Sequence, residues 1–234
     1  MFFKKKETKP LAIYLDESEM FRSELFQASK LSKKQYFEAD SDYYTMLKQD
    51  GKFLGYPIHQ GGKLFVFSPD PTKQGSRSEK NSYSTAKVTV IRKNLKFLVD
   101  WGTPPDSLYH IEDPITKEPY LVGANGIFEI MINPDDAARN ATQLYREIFQ
   151  EHNDYTTEDL KNRLRKKFLS KVGAGIEKMI IEEKRSLRNY VGLGPNALDK
   201  VSEQIFPIFK DIFVSYGLTI TDFAISGLTV NKVI

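Results

Sequence analysis

Tyr120-Leu121-Val122-Gly123-Ala124-Asn125-Gly126-Ile127-Phe128-Glu129-Ile130-Met131-Ile132, followed at once by Asn133-Pro134-Asp135-Asp136, is where the chain changes from one periodicity to another. Tyr120–Val122 and Ile127–Ile132 are apolar, β-rich runs on either side of Asn125-Gly126, a pair that tolerates positive φ and predicts a two-residue hairpin turn. The next four residues predict a helix start: Asn133 as cap, Pro134 in the first position, and two acids at the positive end of the dipole. Strand therefore gives way to helix near residue 133.

Working outward toward the N-terminus, residues 86–133 read as β. Val88, Val90 and Ile91 form a β-branched run, and Phe97-Leu98-Val99 and Leu108-Tyr109-His110-Ile111 follow across polar or turn-rich breaks. Residues 1–85 are irregular, with a short strand predicted at Lys63–Phe67 and a polar loop over Pro71–Ser84. They are assigned as an N-terminal segment of the same domain, and 86–234 as the body of it.

Toward the C-terminus, residues 134–216 read as helix. From a start at Thr156, Leu160, Leu164, Phe168, Val172, Ile176 and Ile180 recur every four residues and predict one buried stripe. A third helix is predicted from Asn196, carrying Leu198, Val201, Ile205, Phe209, Ile212 and Tyr216, with a kink at Pro207 and a stop at Gly217. Leu218–Val230 reads as a final strand in which Phe223 and Ile225 share a buried face. Strands, then helices, then a returning strand predict an α+β fold, an antiparallel or mixed sheet with long helices packed on one side.

Composition bounds the chemistry. The 234 residues include no cysteine, which removes disulfides, thiolate metal sites and thiol nucleophiles. A net charge of +3 with interspersed signs gives no concentrated basic face for nucleic acid. No run reaches the roughly 18–20 apolar residues of a membrane span, so the chain is expected to be cytoplasmic.

Val99-Asp100-Trp101-Gly102-Thr103-Pro104, Gly123–Ile130 and Asn133-Pro134, in that order, together resemble the middle of an SPFH domain, the stomatin/prohibitin/flotillin (band 7) module. The nearest likeness is to its soluble, bacterial, virion-core-protein-like branch. Tyr155–Leu160 is similar to the opening of that family's long helix, and Tyr216–Ile225 to its closing strand. The motif residues are Trp101, Gly102, Thr103, Pro104, Gly126, Pro134, Gly217 and Phe223, spread across roughly residues 86–230. The resemblance implies a homo-oligomer that works with membrane-associated partner proteins, at the inner face of a membrane. Within residues 1–234 the sequence carries neither the hydrophobic hairpin nor the charged coiled coil that accompany the family's domain.

Individual residues point to no catalytic set, metal or cofactor. His59, His110 and His152 share no helical or hairpin spacing and read as structural. Asp135-Asp136 and Glu158-Asp159 sit in helix first turns, and Glu112-Asp113 reads as a turn before proline. Gly173-Ala174-Gly175 falls inside a helix, where it implies close approach of another backbone; Gly192-Leu193-Gly194 lacks the Lys-Ser/Thr of a phosphate loop. Trp101 reads as closing the core, with a partner contact as the alternative. The basic run Lys161–Lys171 reads as a solvated helix face. Phe2 and Phe3 beside Lys4, Lys5 and Lys6 are candidates for contact with an anionic lipid surface.

The function expected from these readings is a non-catalytic oligomeric scaffold or adaptor. The alternatives are a phage or virion structural protein, and an enzyme whose site lies in residues 1–85, where Tyr43, Tyr44, His59 and the glycines near 61 could contribute.

Overall fold

The computed structural model describes residues 11–30, 36–38, 40–53, 63–65 and 84–233. In chain order the strands and helices are β1 (Glu19–Gln27), β2 (Tyr36–Glu38), β3 (Tyr43–Gln49), β4 (Lys52–Phe53), β5 (Lys63–Phe65), β6 (Thr85–Arg92), β7 (Lys96–Gly102), β8 (Tyr109–Glu112), β9 (Pro119–Ile132), α1 (Ala137–Leu144), β10 (Asp154–Thr156), α2 (Thr157–Glu183), α3 (Pro195–Phe209) and β11 (Leu218–Lys232). All strand-to-strand ladders among the described residues are antiparallel, and the fold class is α+β. The chain divides into two compact units, Met1–Asn94 with Pro134–Thr157, and Leu95–Asn133 with Glu158–Ile234.

The first unit is built on a five-stranded sheet of order β10-β1-β6-β3-β4. β6 is its central strand, and its Val88, Val90 and Ile91 are all fully buried because both faces of the strand are covered. On one face Leu47, Ala86, Val88 and Val90 pack with Ile13 and Phe37. Elsewhere Phe21 of β1 stacks on Phe149 at 4.4 Å, in a π-helical turn (Tyr145–Phe149) that continues α1. A short β2–β5 ribbon completes the described strands. The strand expected over Lys63–Phe67 is present at Lys63–Phe65; its last two residues, and the loop expected from Pro71, lie outside the described residues up to residue 83.

The second unit is a sheet of order β11-β9-β7, with β8 pairing the first part of β9. β9 pairs with β8 and then β7 along one edge, and with β11 over its whole length along the other. Val99, Trp101, Phe128, Phe223 and Ile225 turn one face of the sheet toward α2 and α3. Phe168 of α2 is the centre of this packing, 4.9 Å from Trp101, 4.8 Å from Phe128 and 4.9 Å from Phe209, ring centre to ring centre. The expected stripe is present: Leu160, Leu164, Phe168, Val172, Ile176 and Ile180 are all buried.

Four expectations are corrected. Asn125-Gly126 is no hairpin, since β9 runs straight through it. Gly126 is required there for another reason: a Cβ would collide with the carbonyl oxygen of Ala224, beside an irregularity in the β9–β11 register. The division into a segment 1–85 and a body 86–234 of one domain cuts into β6 (Thr85–Arg92), which pairs with β1 and β3 and not with the strands that follow it. The first helix starts at Ala137 with Asp136 as its cap residue, in the left-handed region at φ 61. Asn133 donates its N–H to the Gly217 carbonyl, so the strand ladder holds the chain past Ile132. Finally, Gly173 and Gly175 admit aromatic rings and not a backbone: a Cβ at either would strike Tyr109 or Phe209.

The last helix is shorter than expected. α3 stops at Phe209, two residues beyond Pro207, and a 3-10 turn (Val214–Tyr216) ends at Gly217, whose φ of 72 suits glycine. β11 follows as expected, with Phe223 and Ile225 buried. Phe223 touches Trp101, Phe168 and Phe209. Phe223→Ala should therefore cost about 3–5 kcal/mol, against a total stability of about 5–15 kcal/mol. Denaturant melts followed by circular dichroism will check this, and a midpoint equal to wild type would remove Phe223 from the core.

Candidate functional site

The motif residues occupy the second unit, apart from Pro134, which belongs to the first. Trp101 lies opposite Gly126 in the β7–β9 ladder, and its ring stacks on Phe223 at 5.9 Å and 16°. Its buried Nε1–H has no hydrogen-bond partner among the described residues. Thr103 finishes the ladder: its N–H donates to the Ala124 carbonyl (2.9 Å), and its hydroxyl accepts the Ala124 N–H (3.2 Å). The exposed Pro104 offers its carbonyl to the Ser107 N–H, which turns the chain away from the sheet. Gly102 faces Asn125, and Gly217 lies at the far end of the β9–β11 ladder. These residues form a framework around the aromatic cluster. Phe2, Phe3, Lys4, Lys5 and Lys6 lie outside the described residues.

The opposite face of this sheet is open. Leu98 of β7 and Ile127 of β9 are 52% and 41% exposed, and they are diagonal neighbours because Leu98 opposes Glu129 while Ile127 opposes Asp100. Charges frame them. Lys96 pairs with Glu129 at 3.0 Å, and Glu129 also accepts the Thr221 hydroxyl at 2.6 Å. At the other end Arg165 of α2 donates to both the Asp100 carboxylate (3.0 Å) and the Asp100 carbonyl (2.7 Å). The Asp100 pKa is lowered, first by its own backbone N–H and then, against some burial, by Arg165.

Among the described residues β7 is also an end strand of its sheet. The Thr103-to-Ala124 bond sets the alternation, so the N–H and C=O groups of Phe97, Val99 and Trp101 point at β9. Those of Lys96, Leu98 and Asp100 consequently point out of the sheet edge. An exposed edge of this kind is a template for another strand.

A second polar constellation was not legible beforehand. The buried Asp113 accepts the N–H groups of Ile115 and Thr116 on one oxygen, and the Ser186 hydroxyl (2.6 Å) and Leu187 N–H (2.7 Å) on the other. Burial pushes its pKa up, but the Ser186 hydroxyl and the three N–H donors outweigh burial and hold it at about 2. Beside it, Glu118 is held at about 2 by hydrogen bonds from Lys232 and Arg188, both at 2.7 Å. Only the turn at Asp113-Pro114 signalled any of this in the sequence. In the first unit, Asp50 is likewise held at about 2 by the backbone N–H groups and hydroxyls of Ser84 and Thr85. Each carboxylate is fully engaged as a structural acceptor, which fixes backbone and leaves it a poor proton acceptor at neutral pH.

Of the histidines, His110 is exposed on β8, and His152 stands edge-on to Tyr155 at 4.9 Å. His59 lies outside the described residues. Among the described residues no group of three or more His, Asp or Glu is placed to hold a metal ion. Nor is any described helix long and apolar enough to cross a membrane. On the basic run, Arg165 and Lys167 are engaged, the latter 3.8 Å from the Tyr216 ring centre, so that face is partly a packing surface. No protein-family model matches the sequence, and a search of curated proteins finds no match.

Asp113 yields a pH prediction. Its folded-state pKa of about 2 lies below the usual 3.8, so the stability it contributes is present above pH 4 and is lost as pH falls through 2. Asp113→Asn should lower the melting temperature at pH 7, and flatten the dependence of stability on pH between about 4 and 2. Calorimetric melts of both proteins across that range check it. Parallel pH profiles would show that Asp113 carries no share of the acid lability.

Proposed function

We propose that this chain is a non-catalytic scaffold or adaptor of SPFH type, which assembles with copies of itself at a membrane surface alongside membrane-associated partner proteins. The observation that supports this reading is topological. The family-like segments 99–104, 123–130 and 216–225 are far apart in the sequence, yet they supply the three neighbouring strands β7, β9 and β11 of one sheet. Trp101, Gly126 and Phe223 meet where those strands cross the aromatic cluster.

The open face bearing Leu98 and Ile127 gives such a scaffold a surface on which to assemble. Contact with lipid is assigned to Phe2, Phe3, Lys4, Lys5 and Lys6. Two rings and three lysines bind weakly by themselves, and copies held together would multiply that contact.

Light scattering behind a sizing column, at tens of micromolar, is expected to give a mass above the monomer. Flotation with anionic vesicles should show weak binding that fades toward 0.5 M salt, where the Debye length is about 4 Å. Changing Phe2 and Phe3 to Ser, or Lys4, Lys5 and Lys6 to Gln, should weaken flotation without altering the mass. A strictly monomeric protein that also ignores anionic vesicles at low salt would overturn the proposal.

A further inference from the structure

We infer that β7 is the self-association surface, joining two copies edge to edge through an antiparallel β7–β7 pair centred on Leu98; this rests on the self-assembly proposed above. The strand is Lys96-Phe97-Leu98-Val99-Asp100, with its outer edge unpaired by any other strand among the described residues. Lys96, Leu98 and Asp100 turn their side chains to the open face and their backbone groups to the free edge. If a second copy is laid against it about a two-fold axis at Leu98, the two Leu98 side chains face each other. Each Lys96 then faces the partner's Asp100. One apolar pair flanked by two opposite-charge pairs is a favourable cross-strand arrangement.

No neighbouring register does this. Sliding the strands by two residues sets Lys96 against the partner's Leu98 in one direction, and Leu98 against the partner's Asp100 in the other. A slide by one residue turns the backbone groups of one strand away. The charges that would repel a stray strand thus select one partner: the same strand in the same register. Two-fold pairing is isologous and closes at a dimer, so it does not propagate into a fibre.

Arg165 does not block this pairing. Its Nε takes one lone pair of the Asp100 carbonyl, which leaves the second for the partner's Lys96 N–H. The Asp100 carboxylate, now bonded by its own N–H and by Arg165, exchanges the first of these for the partner's Lys96 ammonium. Lys96 itself is 59% exposed and reaches Glu129 only as a surface pair, which holds it loosely. Ile127, diagonal to Leu98, extends the apolar strip on the same face.

Charge exchange tests the register on the full chain. Lys96→Asp makes both outward charges acidic, and Asp100→Lys makes both basic. Each single variant should self-associate roughly tenfold more weakly, since each dimer then contains two like-charge pairs. The double variant K96D/D100K should recover wild-type association, and so should an equimolar mixture of the two singles. Sedimentation velocity reads all four, with circular dichroism checking that each is folded.

Because the chain has no cysteine, Leu98→Cys introduces a single thiol. The facing Cα atoms of a hydrogen-bonded antiparallel pair lie about 5.5 Å apart, within the roughly 4.4–6.8 Å range a disulfide accepts. Mild oxidation should therefore give a linked dimer. Leu25→Cys, at a comparably exposed site on β1, should not.

An associating wild type whose affinity ignores both charge reversals, or whose singles fail to recover on mixing, overturns the β7 interface and leaves the scaffold reading standing. Failure of Leu98→Cys to cross-link beyond the Leu25→Cys control does the same, and stays informative if D100K does not fold. A wild type that remains monomeric at 100 µM overturns the β7 interface, and if it also ignores anionic vesicles at low salt it overturns the scaffold reading as well.

Discussion

The second unit depends on the unbroken path of β9. Its even-numbered residues from Tyr120 to Ile132 are all buried, and that is possible only if the strand keeps its period of two through Asn125-Gly126. The close approach of the Ala224 carbonyl to Gly126 is what lets it do so. Any larger residue there would push β11 away, and Phe223 with it. The rings of Trp101, Phe168 and Phe209 all meet Phe223, so the seating of α2 and α3 on the sheet follows from one missing side chain. Gly175 repeats the device from the helix side, where its bare backbone receives the Phe209 ring. Two glycines in helix interiors cost about 1 kcal/mol each relative to alanine, and the ring contacts they admit at Tyr109 and Phe209 offset this.

What was legible in the sequence was local. The stripe from Leu160 to Ile180 needs only a four-residue spacing, and all six positions are buried. The final strand announced itself over Leu218–Val230 by alternation and by the glycine before it, and it runs on to Lys232. What was not legible depended on partners distant in sequence. Nothing in Val88-Thr89-Val90-Ile91 says that its neighbours are β1 and β3, 41 to 70 residues earlier, and not β7. Asp113 looks like any turn aspartate until Ser186 and Leu187 arrive from 73 and 74 residues away. The Asn-Gly pair misled for a different reason. Its turn preference is strong in isolation, yet the alternation of Tyr120, Val122, Ala124, Gly126 and Phe128 on one face already argued against a reversal. Burial of that whole face outweighed a dipeptide preference.

The polar groups follow one logic in both units. Asp50, Asp113 and Glu118 each collect several donors: Asp50 and Glu118 close the ends of the β3–β6 and β9–β11 ladders, and Asp113 holds a segment that no strand ladder joins to it. A carboxylate with such a full set of partners has its pKa lowered because its charged form is the one being bonded. A low pKa in this chain is therefore a mark of anchoring. It marks the clamps at Ser84, at Leu187 and at Lys232, and it points away from proton transfer, which needs an acid or base poised near the working pH.

The β7 edge is, among the described residues, one outer edge at which the second unit's sheet is left unpaired. Natural sheets protect their edges with charge, brevity or a covering element, and β7 has the first two in part. It is seven residues long, carries Lys96 and Asp100 outward, and has Arg165 bonded to one carbonyl. Yet Leu98 sits between those charges half exposed, with its own N–H and C=O facing out of the sheet. An edge meant only to repel would carry a charge at that central position. Opposite charges placed symmetrically about a leucine repel most strands and accept a copy of themselves. Such a contact is short, so its affinity is modest. Modest contacts of this kind form where copies are concentrated and come apart where they are dilute.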